Sequence, residues 1–167
     1  MSEEVEKSSR AWVLNFGEGI QAAVGHHEMW QVLISPKFFN IPCTPPYCCE
    51  VAVFQNRILP VLDVSHLLEG KKTIPIMTPI LGIAVYQNDP AQPLHYGGLH
   101  LATMPQSVYV TDDQVCDLPA HQPYWEPLAI SCFSHDEIAI PIINLASLFT
   151  QNVGSLQQNA NADSYNH

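Results

Sequence analysis

Three of the five cysteines crowd into Ile41–Cys49, IPCTPPYCC. The adjacent thiols of Cys48 and Cys49 are of a type that can hold a soft metal ion or oxidise. A tetrahedral zinc site draws on C-x-x-C arms, and the sequence has none. Strand alternation would send one of two neighbouring thiols inward and the other outward, which fits small apolar side chains better than a ligand pair. Histidine recurs at His26, His27, His66, His95, His100, His121 and His135. His26 and His27 precede Glu28, but strand neighbours face opposite ways and no H-E-x-x-H helix is present. Asp112, Asp113 and Asp117 lack calcium-loop spacing, and Asp136-Glu137 reads as a turn. No G-x-S-x-G elbow, P-loop or G-x-G-x-x-G occurs. Nothing assembles an acid, a base and a nucleophile. The expectation is a protein that is not an enzyme and needs no cofactor or metal. A small metal- or ligand-binding β-barrel using Cys48, Cys49 and the histidines is the alternative.

The elements that would position these residues are mostly strands. AWVLNF, CCEVAVFQ, RILPVLDV, PILGIAVYQ, PLAISCF and IAIPIINL are apolar, branched or aromatic runs separated by polar turns. IQAAVGHHEMWQVL is long enough for a bent strand or a strand followed by an edge strand. LHYGGLHLATMPQSVYV carries a Gly-Gly break suited to a bulge. Only DVSHLLEG and NLASLFT read as helical, with Asp63 and Asn144 placed to cap them. Residues 1–10 read as a flexible lead, 11–150 as the ordered body and 151–167, rich in Gln and Asn, as a disordered tail. The fold class is mainly β, a barrel or sandwich of short strands.

One segment is written twice. FQNRILPVLDVSHLLEG, Phe54 to Gly70, returns as AIPIINLASLF, Ala139 to Phe149. Pro60 falls on Pro141, 81 residues on (141 − 60), and Asp63 falls on Asn144. Leu59, Val61 and Leu62 fall on Ile140, Ile142 and Ile143, and Leu67-Leu68 on Leu148-Phe149. Proline, cap and paired apolar positions coincide, which predicts a duplicated unit of strand, turn, strand and capped helical turn. The helical turn would close one end of a small barrel, and the proline would sit where no ladder hydrogen bond is needed.

Composition narrows the partners. Six basic residues stand against sixteen acidic ones, a formal net charge of -10. That excludes a Lys/Arg patch for nucleic acid and a polybasic membrane contact. The first residues, MSEEVEKSSRAW, are not a secretory signal, and no run approaches the ~20 apolar residues that cross a bilayer. An odd cysteine count without framework spacing reads as reduced thiols, so the expected location is the cytoplasm.

The motif order resembles the CheW-like domains, adaptors of bacterial chemotaxis and related chemosensory pathways. Ile41, Pro42, Pro45, Tyr47, Val51, Val53 and Phe54, then Ile58, Leu59, Pro60, Val61, Asp63, Leu67 and Leu68, follow the family's signature of Ile-Pro-x-x-Pro, strand, turn and "ilPvvDLrxxL". AWVLNFG looks like the family's first strand, and MWQVLI like its Val-x-Glu-Ile strand. The resemblance spans about 11–150, strongest over 39–70 and weak between 90 and 125. It implies two intertwined five-stranded SH3-like β-barrels with short helices. It also implies a non-catalytic scaffold that couples the cytoplasmic tip of a methyl-accepting chemoreceptor to the regulatory domain of a CheA-type histidine kinase. The partner-binding positions it points to are Met29, Gln31, Gln55, Asn56 and Arg57. Here the family's signature glycine is Glu50, its Arg-Gly turn is Gln55-Asn56 with Arg57 one place late, and its strand glutamate is Gln31. Asn56 can still take the positive φ that glycine supplies. These departures suit a divergent member, such as those of type IV pilus (twitching) systems, or a decoy adaptor that binds the kinase and no receptor.

Overall fold

The computed structural model describes residues 8–152. Eleven strands are described: β1 (Ser9–Gly17), β2 (Ile20–Gly25), β3 (Met29–Ile34), β4 (Phe38–Asn40), β5 (Glu50–Phe54), β6 (Arg57–Leu62), β7 (Ile80–Tyr86), β8 (His95–Leu101), β9 (Gln106–Val110), β10 (Ala129–His135) and β11 (Ile138–Ile143). Helix α1 spans Val64–Glu69, and α2 covers residues 145–152. The first strand thus takes in Ser9 and Arg10 of the expected lead, and α2 runs into Gln151 and Asn152. The remainder of both terminal stretches lies outside the described residues.

The strands form two sheets. The first is ordered β10-β11-β2-β1-β9 and the second β3-β7-β8-β6-β5-β4. The three-residue β4 is an addition at one edge. Without it the second sheet repeats the first position for position, β5 for β10, β6 for β11, β8 for β2, β7 for β1 and β3 for β9. In both sheets two antiparallel hairpins are joined by one short parallel contact, Ile142 to Ala23 and Val61 to Gly98. The halves are interleaved. The first half gives hairpin β1–β2 to one sheet and β3, β5 and β6 to the other. The second half reciprocates with β7–β8 and then β9, β10 and β11. This is the mainly β, two-subdomain CheW-like fold.

The duplication expected from Pro60 and Pro141 is visible at every level. Val51 pairs with Pro60 as Cys132 pairs with Pro141, the same 81-residue offset. Each proline stands one residue before its strand gains its parallel neighbour, where a missing N–H is tolerated. Ala52 and Leu59 sit in the interior of the second sheet, and their equivalents Phe133 and Ile140 in that of the first. Both caps form. The Asp63 carboxylate accepts from the His66 amide at 3.1 Å, and the Asn144 side-chain oxygen accepts from the Ser147 amide at 3.2 Å.

A third and larger core lies between the sheets and draws on Leu14, Phe16, Leu62, Leu99, Trp125 and Phe149. The helical turns belong to this shared core and do not plug the barrel that precedes them. Helix α2 follows β11 of the first sheet, yet Phe149 lies against Gly97 in β8 of the second. The Gly97-Gly98 pair is accordingly no bulge. The β7–β8 ladder runs through it without a register shift. A Cβ on Gly97 would come within 2.4 Å of the Phe149 ring, and one on Gly98 within 2.9 Å of Leu81. The glycines are there for close approach.

The two hairpin turns are also equivalent. Gln55 and Asn56 have φ of 49° and 62°, Asp136 and Glu137 51° and 66°. Two consecutive left-handed residues match the type I′ turn that suits the strand twist, and Asn-Gly is its preferred pair. Gln is a poor occupant of such a φ. Replacing Gln55-Asn56 with Asn-Gly is expected to stabilise the fold by about 1 kcal/mol, read as a higher urea midpoint at unchanged slope.

Candidate partner-binding surface

Strand β3 is an edge strand, and its ladder with β7 slips by one residue. Met29 faces Ala84 and Gln31 faces Ile83, leaving Trp30 as the extra residue of a bulge. The bulge sorts three neighbours into three roles. Met29 is half-buried and packs on the shared core, close above Gly82. Gln31 is exposed. Trp30 turns outward with 43% of its surface accessible.

Trp30 gathers residues from three other strands. Its ring meets Phe54 of β5 edge-on with centroids 5.5 Å apart, and Tyr96 of β8 at 4.8 Å. The Arg57 guanidinium of β6 lies over Tyr96, 4.5 Å from its centroid. A cation over an aromatic face at this distance is an attractive contact. Of the expected positions, Arg57 joins this cluster through Tyr96, Gln31 is the chain neighbour of Trp30, and Gln55-Asn56 form the turn between Phe54 and Arg57. Met29 packs on the shared core and lines the groove beside the cluster. Trp30, Phe54 and Tyr96 are the members sequence reasoning missed. Trp30 carried one signal, its place between two residues already singled out. Tyr96 carried none, because its strand arrives from a different part of the chain.

Beside the cluster, His26, His27, Trp30, Val85, Leu94 and Tyr96 line an open groove of about 420 Å³. Leu94 is exposed on its rim. The Glu28 carboxyl, next in line, accepts from the Gly25 amide at 2.8 Å. Burial pushes its pKa up, and that hydrogen bond opposes the rise.

A second apolar area faces outward from the β4–β5–β6 edge. Val53 and Ile58 are cross-strand partners and both are exposed, Ile58 at 73%. Phe39 of β4 is exposed nearby with Lys37 over its ring at 5.3 Å. Apolar side chains exposed on a sheet edge are of the kind that protein contacts cover.

Among the described residues, no three His, Cys, Asp or Glu side chains come together to hold a metal ion. Cys48 and Cys49 are not on a strand. They close a single 3-10 turn over Pro46–Cys48, which buries Cys48 and leaves Cys49 half-exposed. The inside–outside split expected from alternation occurs, but a turn produces it. His26 and His27 likewise lie on a 3-10 turn, His26–Glu28, where the chain crosses from one sheet to the other. No helix among the described residues is long and apolar enough to cross a membrane.

No family model matches the chain, and no curated protein matches it in sequence. Solved structures do match. The chain is similar to the scaffolding protein TtCheW from Thermoanaerobacter tengcongensis, with 14% identity over 83% of this chain and 90% of that one, at a TM-score of 0.68. At this identity the likeness establishes the fold.

Proposed function

We propose that the chain is a non-catalytic adaptor of a bacterial chemosensory pathway, working in the cytoplasm by protein–protein binding alone. Its partners would be a CheA-type histidine kinase and the cytoplasmic tip of a chemoreceptor. The observation that carries this reading is the interleaved two-sheet fold, similar to that of a scaffolding protein over 83% of this chain. Two separate apolar surfaces on one small acidic domain suit a part that holds two proteins at once. The Val53–Ile58 face is matched to a barrel of the kinase regulatory domain, which would pack against a sheet edge. The Trp30–Phe54–Tyr96–Arg57 cluster is matched to a helical hairpin, since aromatic and arginine side chains are the usual anchors of such contacts.

A second reading is an adaptor specialised for the kinase, in a pilus (twitching) system or elsewhere. Gln31 carries no charge, and Arg57 is already engaged with Tyr96. A receptor that relies on charged partners at these positions would find neither free.

Binding of the two partners to immobilised chain, measured separately, tests both. Trp30→Ala is expected to weaken the receptor fragment about tenfold or more while leaving the kinase domain unaffected, and Ile58→Asp the reverse. Kinase binding with no receptor binding selects the second reading. Binding of neither overturns both.

A further inference from the structure

Cys116 and Cys132 come from different parts of the chain and meet at the wall of a cleft. The Cys116 amide donates to the Cys132 carbonyl at 3.0 Å, and Val115 bridges to Phe133 alongside. The two sulfurs are 3.5 Å apart, both as free thiols. The cleft, about 540 Å³, is lined on one side by the 116–126 segment and on the other by β10 from Ala129 to Cys132. Cys116 is half-exposed at its wall, and Cys132 is buried behind it. The other cysteines offer no such pair. Cys48 and Cys49 are chain neighbours whose sulfurs turn to the carbonyls of Asn152 and Pro46.

We propose that Cys116 and Cys132 are a reversible thiol–disulfide modification site, closed by a low-molecular-weight disulfide of the glutathione type. A disulfide bond is about 2.05 Å long, so the sulfurs need approach by only about 1.5 Å, within side-chain rotation of two residues already tied by their backbones. The order of attack follows from exposure. The Cys116 thiolate attacks one sulfur of the oxidant, whose S–S bond breaks. One glutathione leaves as a thiolate and takes up the proton Cys116 lost. The Cys132 sulfur, losing its own proton, then attacks the Cys116 sulfur. The Cys116–glutathione bond breaks, and the second glutathione leaves and is protonated. One oxidant disulfide is reduced to two thiols, and two protein thiols are oxidised to one disulfide. Burial, then the Cys116 thiol and the Asp117 carboxylate, push Cys132 up to about 12. The site is independent of the partner assignment above. Closing it would tie the 116–126 wall to β10 and fix the shape of the cleft between them.

Native full-length chain exposed to glutathione disulfide should lose two of its five titratable thiols and two hydrogens of mass. A peptide cross-linking Cys116 to Cys132 should appear, dithiothreitol should remove it, and the oxidised form should melt several degrees higher. Cys132→Ser should stop at a glutathione adduct on Cys116. The double serine variant should fold with an unchanged far-ultraviolet spectrum and keep its three remaining thiols. A wild type that retains five thiols, that stops at the mixed disulfide, or that links Cys48 to Cys49 instead would overturn the proposal.

Discussion

Gly97→Ala is expected to destabilise the chain by about 3 kcal/mol, at the upper end of what overpacking usually costs. The backbone is not the reason. Gly97 lies in a regular stretch of β8 and is not among the glycines with positive φ. The cost is steric. The new methyl would stand 2.4 Å from Cε1 and 2.6 Å from Cζ of Phe149. That ring cannot swing away, because it is buried and stacked on Tyr86 with centroids 4.9 Å apart and planes 2° from parallel. Moving it means moving α2 away from the second sheet, and with it one of the contacts that hold the two sheets together. Phe149→Leu removes the two nearest ring atoms. In that background Gly97→Ala should cost about 1 kcal/mol or less, a coupling of roughly 2 kcal/mol for residues in contact. Urea unfolding of the four proteins measures it, and additive losses would show that the contact does not decide the matter.

The same contact lies beyond any local pattern in the sequence. Gly97-Gly98 stood out as a break in a strand, and a bulge is the local explanation for such a break. The true cause is a phenylalanine that arrives from the far end of the chain, and no local pattern contains it. What is local was legible. Proline, cap residue and apolar alternation repeat at one spacing, and the duplicated hairpins, capped turns and equivalent core positions follow from that. Positive φ at Asn56 was readable from its residue type, but its partner Gln55 follows only from the twist of the hairpin. Which sheet each strand joins is a non-local matter, and interleaving came from the family resemblance and from no property of the residues. The surface divides in the same way. Gln31, Gln55, Asn56 and Arg57 hold recognisable places in a local motif. Trp30 meets Phe54 and Tyr96 because a register slip between Met29 and Gln31 aims it outward. Cys116 and Cys132, sixteen residues apart, looked unremarkable until β10 brought them together.

Asp63→Ala should be as damaging as the glycine change, by a different route. Asp63 is 4% exposed and does two jobs. One oxygen caps α1 by accepting from the His66 amide at 3.1 Å and also accepts from the Thr73 hydroxyl at 2.6 Å. The other accepts from the Thr73 amide at 2.9 Å. Thr73 is itself buried, so its hydroxyl and amide have no water to turn to once the carboxylate is gone. Loss of the cap accounts for about 1 kcal/mol. Two stranded buried donors, at about 1–3 kcal/mol each, add about 2 kcal/mol or more, giving a total of about 3 kcal/mol or more. Asp63→Asn separates the two contributions. It keeps an acceptor for the cap but presents an amide NH2 to one of the Thr73 donors, so roughly half the loss should remain. The repeat supplies an internal control. Asn144 holds the equivalent cap, and among the described residues its side chain accepts only from the Ser147 amide, so Asn144→Ala should cost about 1 kcal/mol. If the two alanine variants unfolded at the same urea midpoint, the strap from Asp63 to Thr73 would be contributing nothing.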